Sequence, residues 1–302
     1  MFKLDVRSKV SEFTDFVTVV RDAEFFSCAK ISTRTTRKLV PFSDARYLKE
    51  IVAASEEIAA VICTEELVEQ VPPEFGCAIS AKPAVALHKI HGRILSSPNH
   101  YWDSFPSEIH PTAQIHPTAY IAPTDVVIGE GTIVGPRVVV MEKVLIGRDC
   151  VIGANTTLGT DAYEVTTIDG RPLVIPQAGG IRIGNEVIFL SQDTVARSSF
   201  PTLTEIGDGA SFDNMVHVAH DCVIGKRVKM TACSMLCGRV TLGDDAYVGP
   251  NATISNGISV GAKGKITLGA VVVKDVEAGQ TVTGNFAIEH SEFKRWMVQR
   301  AH

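Results

Sequence analysis

Apolar residues recur at every sixth position over the C-terminal two-thirds of the chain. Between 206 and 276, twelve successive residues of one phase are apolar: Ile206, Phe212, Val218, Ile224, Met230, Leu236, Leu242, Val248, Ile254, Val260, Ile266 and Val272. A small or aliphatic residue follows most of them four places later, as at Ala210 and Cys222. A period of six fits neither an α-helix nor an ordinary strand. It is typical of hexapeptide repeats, each a short strand and a turn. The pattern predicts a mainly β fold, a left-handed parallel β-helix whose leading apolar residues point inward.

The same period starts earlier and is interrupted twice. The repeat begins at Ile109, contains one extra residue before Ile128, and continues to Leu158. The segments 160–182 and 198–205 then break the phase. Roughly 24 hexapeptides, at three per coil, predict about eight coils. Insertions leave a solenoid as loops on one face, often the binding face. Both interruptions are therefore candidate parts of a site.

Residues 1–105 lack this period. Strand-like apolar runs at 59–64 and 77–80 alternate with helical spacing at 44–55 and 83–95. We predict a small α/β domain over 1–105, the β-helix over 106–283, and a short C-terminal helix over 284–302.

Composition narrows the class of protein. The 302 residues carry a net charge of −5 and a pI near 6.0, which argues against nucleic acid as the main partner. The chain has no run of about 18 apolar residues and no signal-like N-terminus, which predicts a cytoplasmic protein without a membrane span. Seven cysteines without a CxxC pair indicate reduced thiols, with Cys150 and Cys222 at inward positions.

The segment "FDNMVHVAHDCVIG" (212–225) carries the candidate chemistry. His220 is the third residue of its hexapeptide, near a turn. Because a coil contains about 18 residues, Gly238 is predicted to stack beside His220 in the next coil. An imidazole can accept a proton near neutral pH, and a bare backbone N–H can stabilise an oxyanion. Acyl transfer needs both groups, although spacing alone fits a solvated surface histidine somewhat better.

Neighbouring residues allow other roles. Asp213 and Asn214 could orient or bind a substrate. His217 and His220 could supply two ligands to a zinc ion, but a site needs at least three and the sequence shows no third. We predict no metal site.

Four motifs resemble one known family, the UDP-3-O-acylglucosamine N-acyltransferases of lipid A synthesis, a branch of lipopolysaccharide synthesis. They are "EIHPTA" (108–113), "GTDAY" (159–163), "IPQAGGIRIG" (175–184) and the His220 segment, and the resemblance extends over nearly the whole chain. It implies a homotrimer with active sites between neighbouring prisms and a uridine site in the N-terminal domain. It also implies an acyl thioester on acyl carrier protein and no further cofactor. His220 would be the general base, and the Gly238 N–H would hold the oxyanion.

The chain departs from the family at three places. "PFSDARY" (41–47) keeps the uracil-binding Tyr47, but its aromatic partner is shifted to Phe42. Gly257 stands where the family has a second histidine, and the segment after the β-helix is short. These differences favour a relative acting on another sugar, or one with a shorter acyl donor such as acetyl-CoA.

The predicted function is an N-acyltransferase that moves an acyl group from a pantetheine thioester to the amine of a nucleotide-linked amino sugar. The thioester would be on acyl carrier protein or CoA. The predicted substrate-binding residues are Phe42, Tyr47, Asp213, Asn214 and His217. An N-acetyltransferase acting on a UDP- or dTDP-dideoxyamino sugar for surface polysaccharide is the alternative. A zinc-dependent hydratase and a non-catalytic scaffold are further alternatives.

Overall fold

The computed structural model describes residues 6–97, 100–168 and 170–285, together with 295, 296, 298 and 299. The N-terminal part contains a five-stranded sheet with one antiparallel edge strand. In spatial order its strands are Thr18–Arg21, Gly76–Ile79, Ile58–Cys63, Lys38–Phe42 and Ser27–Cys28. A small antiparallel pair, Ser8–Lys9 with Glu24–Phe25, lies beside it.

Short helices connect and cover this sheet. The α-helices of this domain's described residues are α1 (Leu48–Ala53) and α2 (Pro83–Leu95). The 3₁₀ helices are Val10–Phe13, Ala45–Tyr47 and Glu65–Gln70. Helix α2 begins with a proline, whose missing N–H costs nothing at a helix start. Its apolar face, including Leu87 and Ile90, packs into one of the two cores of this domain. The sequence-predicted α/β arrangement is therefore present.

The rest of the described chain forms three parallel sheets that close a triangular prism. Sheet A consists of Glu108–Ile109, Val126–Ile128, Val144–Ile146, Gly180–Ile183, Leu203–Ile206, Val223–Ile224, Thr241–Leu242 and Ser259–Val260. Sheet B consists of Gln114–Ile115, Ile133–Val134, Val151–Ile152, Ile188–Phe189, Ser211–Phe212, Lys229–Met230, Tyr247–Val248, Lys265–Ile266 and Thr281–Val282. Sheet C consists of Tyr120–Ile121, Val139–Val140, Thr157–Thr160, Thr194–Ala196, His217–Val218, Met235–Leu236, Thr253–Ile254 and Val271–Val272. The chain visits A, B and C in turn, which confirms the left-handed parallel β-helix of about eight coils.

The period of six follows from the way each coil fills the prism. All twelve leading residues from Ile206 to Val272 are buried in one continuous core. The residues four places later, such as Ala210 and Cys222, are buried at the corners. Many turns carry a left-handed residue three places after the leading one, as at Asp221 and Arg239. Uninterrupted coils repeat every 18 residues, and His217 accordingly pairs with Met235.

The two interruptions lie where the N-terminal domain meets the prism. The first contains an antiparallel hairpin, Val165–Ile168 with Arg171–Val174. Pro176 of this insertion accepts a hydrogen bond from His91 Nε2 at 3.0 Å. Phe200 of the second interruption joins the core beneath α2. Both insertions thus fix the N-terminal domain against the β-helix.

Within the described part of the chain, every helix is too short or too polar to cross a membrane. Of the predicted C-terminal helix over 284–302, the described residues are 284, 285, 295, 296, 298 and 299, and the others lie outside the described part of the chain.

Candidate active site

The turn from sheet C to sheet A places His220 at a corner of the prism. Val218, two residues earlier, is buried in the core and fixes the register of the turn. Asp221, the next residue, adopts the left-handed conformation with φ of 59°. Aspartate tolerates this region better than most residues with a side chain. The local sequence therefore forms a tight corner with His220 on its outer side.

His220 makes a short hydrogen bond to its neighbour. Its Nδ1 lies 2.6 Å from Oδ2 of Asp221, and both side chains are 12% exposed. Burial alone raises the pKa of Asp221, but hydrogen bonds from His220, Ser198 and Thr202 outweigh it and hold that pKa below its usual value. An ionised carboxylate only accepts hydrogen bonds, so Nδ1 must donate, and in the neutral form of the ring this is the tautomer protonated at Nδ1. Nε2 is left with a free lone pair.

Asp221 is itself held by the second interruption. Thr202 Oγ1 donates to Asp221 Oδ1 at 3.0 Å. The backbone N–H of Asp221 donates to Thr204 Oγ1, also at 3.0 Å. Thr204 in turn donates to the carbonyl of Ala196 at 2.9 Å. This network orients the carboxylate and, through it, the imidazole.

Gly238 lies directly beside the imidazole. A Cβ built on Gly238 would come within 2.5 Å of His220 Nε2, a distance that no real Cβ tolerates. The next residue, Arg239, donates its N–H to the carbonyl of His220 at 2.9 Å. Among the hydrogen bonds of the described residues, none uses the N–H of Gly238. The predicted pairing of imidazole and bare backbone one coil apart is present in the geometry.

The first interruption covers the free side of the imidazole. Glu164 Oε1 lies 3.6 Å from His220 Nε2, 3.7 Å from Arg239 Nη1 and 2.5 Å from Lys30 Nζ. Its side chain is 17% exposed. A cavity of about 680 Å³ adjoins this cluster, with Asp221 and Arg239 on its wall. This volume is within the usual range for small-molecule sites.

The two aromatic residues predicted to bind the base differ in exposure. Phe42 is 1% exposed and packs in the core with Ile51 and Phe75. A ring enclosed in this way cannot stack on a base, so the predicted role of Phe42 is wrong in this structure. Tyr47 ends a 3₁₀ helix and is 43% exposed. Neither lines the 680 Å³ cavity.

The remaining predicted residues lie away from the His220 corner. Asp213 and Asn214 form the preceding corner, between sheets B and C, where Asp213 Oδ1 accepts from the backbone and side chain of Asn214. His217 lies on the sheet C strand that leads to His220, and burial lowers its pKa. In the part of the chain that the structure describes, no three His, Cys, Asp or Glu side chains are placed to hold a metal ion.

The sequence did not reveal several residues of the site, among them Asp221, Glu164 and Thr202. Asp221 directly follows His220, and this adjacency was the available signal. Glu164 and Thr202 belong to the two interruptions, which the period identified as candidate site loops without indicating which side chains reach His220. Their positions depend on how the insertions fold back over the prism.

Parts of the chain are similar to known proteins. Residues 125–160 match the bacterial transferase hexapeptide repeats. UDP-3-O-acylglucosamine N-acyltransferase of Bordetella parapertussis is 32% identical over 122 residues, covering 40% of this chain and 33% of that protein. The Caulobacter sp. protein of the same name is 32% identical over 127 residues, covering 42% and 36%. The Leptospira biflexa one is 43% identical over 84 residues, covering 28% and 24%. The chain therefore spans about a third or less of the length of these relatives, and the similarity is less extensive than the motifs predicted.

Solved structures were compared as well. A UDP-N-acetylglucosamine acyltransferase from Campylobacter jejuni has a TM-score of 0.48 at 20% identity, covering 63% of this chain and 81% of that one. The Arabidopsis enzyme of the same name has a TM-score of 0.43 at 24% identity, covering 59% and 69%. The chain contains hexapeptide repeats and is similar in sequence, over about two fifths of its length, to UDP-3-O-acylglucosamine N-acyltransferases.

Proposed function

We propose that this protein is an N-acyltransferase that moves an acyl group from a pantetheine thioester to the amine of a nucleotide-linked amino sugar. The observation that carries the proposal is the His220 imidazole, oriented by Asp221 and stacked against Gly238. The named relatives act on a nucleotide-linked aminoglucose derivative, which supports the choice of acceptor.

His220 serves as general base in this proposal. The amine nitrogen attacks the thioester carbonyl carbon, and its proton passes to Nε2 of His220. Nδ1 keeps its own proton because the Asp221 carboxylate accepts that hydrogen bond at 2.6 Å. The charge of Asp221 then stabilises the imidazolium that forms. The base must be within hydrogen-bond reach of the amine, so the Glu164 carboxylate at 3.6 Å has to give way when the acceptor binds.

Gly238 is proposed to bind the oxygen of the tetrahedral intermediate through its backbone. Its N–H is the donor proposed to hold the developing oxyanion, and the absence of a side chain keeps that approach open. Collapse of the intermediate forms the amide and expels the pantetheine thiolate. The proton on His220 then passes to the departing sulfur.

The rest of the proposal concerns assembly and donor. We infer a homotrimer with the His220 corner at a cleft between prisms, Tyr47 in contact with the nucleotide, and a cytoplasmic location. Either acyl carrier protein or CoA delivers the thioester, so an N-acetyltransferase for a dideoxyamino sugar falls within the same chemistry.

The experiment is a substrate panel read by mass spectrometry. The protein is incubated with UDP- and dTDP-linked amino sugars and with acetyl-CoA or acyl carrier protein thioesters. We expect one pair to give an amide product. Replacement His220→Ala should lower kcat by about 10²–10⁴-fold, the usual contribution of a general base.

A matched control is available on the same solenoid. His116 is the second residue of its hexapeptide, is exposed, and bonds Thr118 in its own turn. His116→Ala should leave turnover unchanged. Turnover by His220→Ala at the level of His116→Ala would refute the proposed function.

A further inference from the structure

A carboxylate of the chain itself occupies a cluster of cationic groups at the base. Glu164 Oε1 contacts Lys30 Nζ at 2.5 Å and lies 3.7 Å from Arg239 Nη1. The same oxygen is 3.6 Å from His220 Nε2. Lys30 comes from the N-terminal domain, Glu164 from the first interruption, and Arg239 from the turn beside Gly238. Three distant parts of the sequence therefore converge on one anion.

The adjoining cavity carries further cationic side chains, together with the carboxylates of Asp221 and Glu205. Arg239 lines it, and so do Arg34 and Arg182. Arg34 reaches across from the N-terminal domain and donates from Nη2 to Thr241 Oγ1 at 2.7 Å. Arg182 lies 3.8 Å from Glu205, which offsets part of its charge. The wall also carries hydroxyl groups from one loop, those of Ser32, Thr33, Thr35 and Thr36.

Arginine forks, an ammonium group and clustered hydroxyls are groups that bind phosphate oxygens. A diphosphate carries more negative charge than one carboxylate and offers more acceptor oxygens. It would therefore compete with Glu164 for the same cations. The cavity, at about 680 Å³, has room for more than the diphosphate alone.

We propose that Lys30, Arg239 and Arg34 bind the diphosphate of the nucleotide sugar, and that Glu164 fills this anion site until the diphosphate displaces it. The identity of the anion rests on the proposed function. Displacement moves the carboxylate away from Nε2 of His220, so the base becomes available only when the acceptor is bound. An uncovered base beside a bound thioester would also activate water. Glu164 thus protects the acyl donor from hydrolysis.

Binding of UDP to the full-length protein, measured by calorimetry, tests the site without any acyl transfer. Glu164→Gln keeps the shape of the side chain and removes its charge. We expect this variant to bind UDP about tenfold more tightly than the unmodified chain, since no bound anion has to be expelled. Lys30→Met should weaken UDP binding about tenfold. Uridine, which lacks the diphosphate, should bind both variants and the unmodified chain alike.

Asp161→Asn is the matched control. Asp161 lies in the same insertion, but it pairs with Arg197 at 2.5 Å and not with the cluster. Its removal should leave UDP affinity unchanged. Glu164→Ala provides a second variant if Glu164→Gln melts at a lower temperature than the unmodified chain. UDP binding by both Glu164 variants no tighter than that of the unmodified chain overturns the inference.

A second readout follows thioester hydrolysis in the absence of acceptor. The Glu164→Gln variant should hydrolyse acyl-CoA or acyl carrier protein thioester faster than the unmodified chain. The two proposals fail differently. Acyl transfer with unchanged UDP affinity in the Glu164 variants leaves the function standing and removes the anion site. Tighter binding of UDP or inorganic pyrophosphate by Glu164→Gln, without transfer to any amino sugar, would support the anion site and remove the proposed function.

Discussion

His220 and Asp221 are adjacent in sequence, and a left-handed turn brings their side chains together with Nδ1 2.6 Å from Oδ2. Neighbouring residues on a regular strand point to opposite faces and cannot make this contact. The corner of the prism therefore creates the pair, and the threonines of the second interruption fix it.

Replacement Asp221→Asn tests this pair. The amide group can donate to Nδ1, which would move the ring proton to Nε2 and remove the base. We expect kcat to fall by about 10²–10⁴-fold with KM changed by less than about threefold. Steady-state kinetics and a pH–rate profile provide the measurement. A kcat near that of the unmodified chain would show that Asp221 does not set the tautomer.

Replacement Gly238→Ala tests the contact across the coils. The added Cβ would lie 2.5 Å from His220 Nε2, so the ring has to move from its place beside Asp221. A displacement of this size should lower kcat by about 10²-fold or more. Gly92→Ala in helix α2 is the control, because nothing lies within 4 Å of its added Cβ. It should raise stability by roughly 0.5–1 kcal/mol and leave kcat unchanged. Equal activities of the two variants would contradict the geometry.

Because the carboxyl group of Asp193 is buried, we expect the stability of the folded chain to depend on pH. Its side chain is 1% exposed at an inward hexapeptide position, with Oδ1 accepting from the Val216 N–H at 2.8 Å. Within the described residues, Oδ2 has no hydrogen-bond partner. Burial raises the pKa of Asp193 from 3.8 to about 7. The folded chain then binds this proton more tightly than the unfolded chain, so the free energy of unfolding falls as pH rises from about 4 to about 7.

Replacement Asp193→Asn removes this titration and keeps an acceptor for Val216. The variant should match the unmodified chain near pH 4 and exceed it by on the order of 2–4 kcal/mol near pH 8. Denaturant unfolding of both proteins across this range gives the difference directly. Other buried groups, such as His91, titrate in both proteins, so their contributions cancel in the difference between the two free energies of unfolding. A difference that does not vary with pH would exclude Asp193 as its source.

Two residues from different sheets of the prism, Phe212 in sheet B and Met235 in sheet C, distinguish the core from the surface. Phe212 is 1% exposed and stacks on Phe189, with ring centroids 4.4 Å apart. Phe212→Ala should lower the free energy of unfolding by about 3–5 kcal/mol. Met235 is 43% exposed on its strand, and Met235→Ala should change it by less than about 0.5 kcal/mol. Chemical denaturation measures both, and similar losses in the two variants would argue against the inward register.

The β-helix could be predicted because its requirements for residue type are local and are repeated in every coil. An apolar residue such as Leu236 must point inward in every coil, and a small residue such as Ala252 must fit each corner. The repeat length then places Gly238 beside His220 without further information. The uridine-binding role of Phe42 could not be judged in this way. Burial of its ring depends on Ile51 and Phe75, which belong to other elements of the domain.

The sequence by itself determined the prism, the register of its coils and the corner that presents His220, since these follow from a short period of side-chain size and polarity. Only the tertiary structure decided what surrounds that imidazole. Lys30, Glu164 and Thr202 reach the site through non-repeating segments, and their positions depend on packing between the N-terminal domain and the prism. These segments have no repeating pattern of side-chain size or polarity, so their contacts with distant residues cannot be predicted from the local sequence.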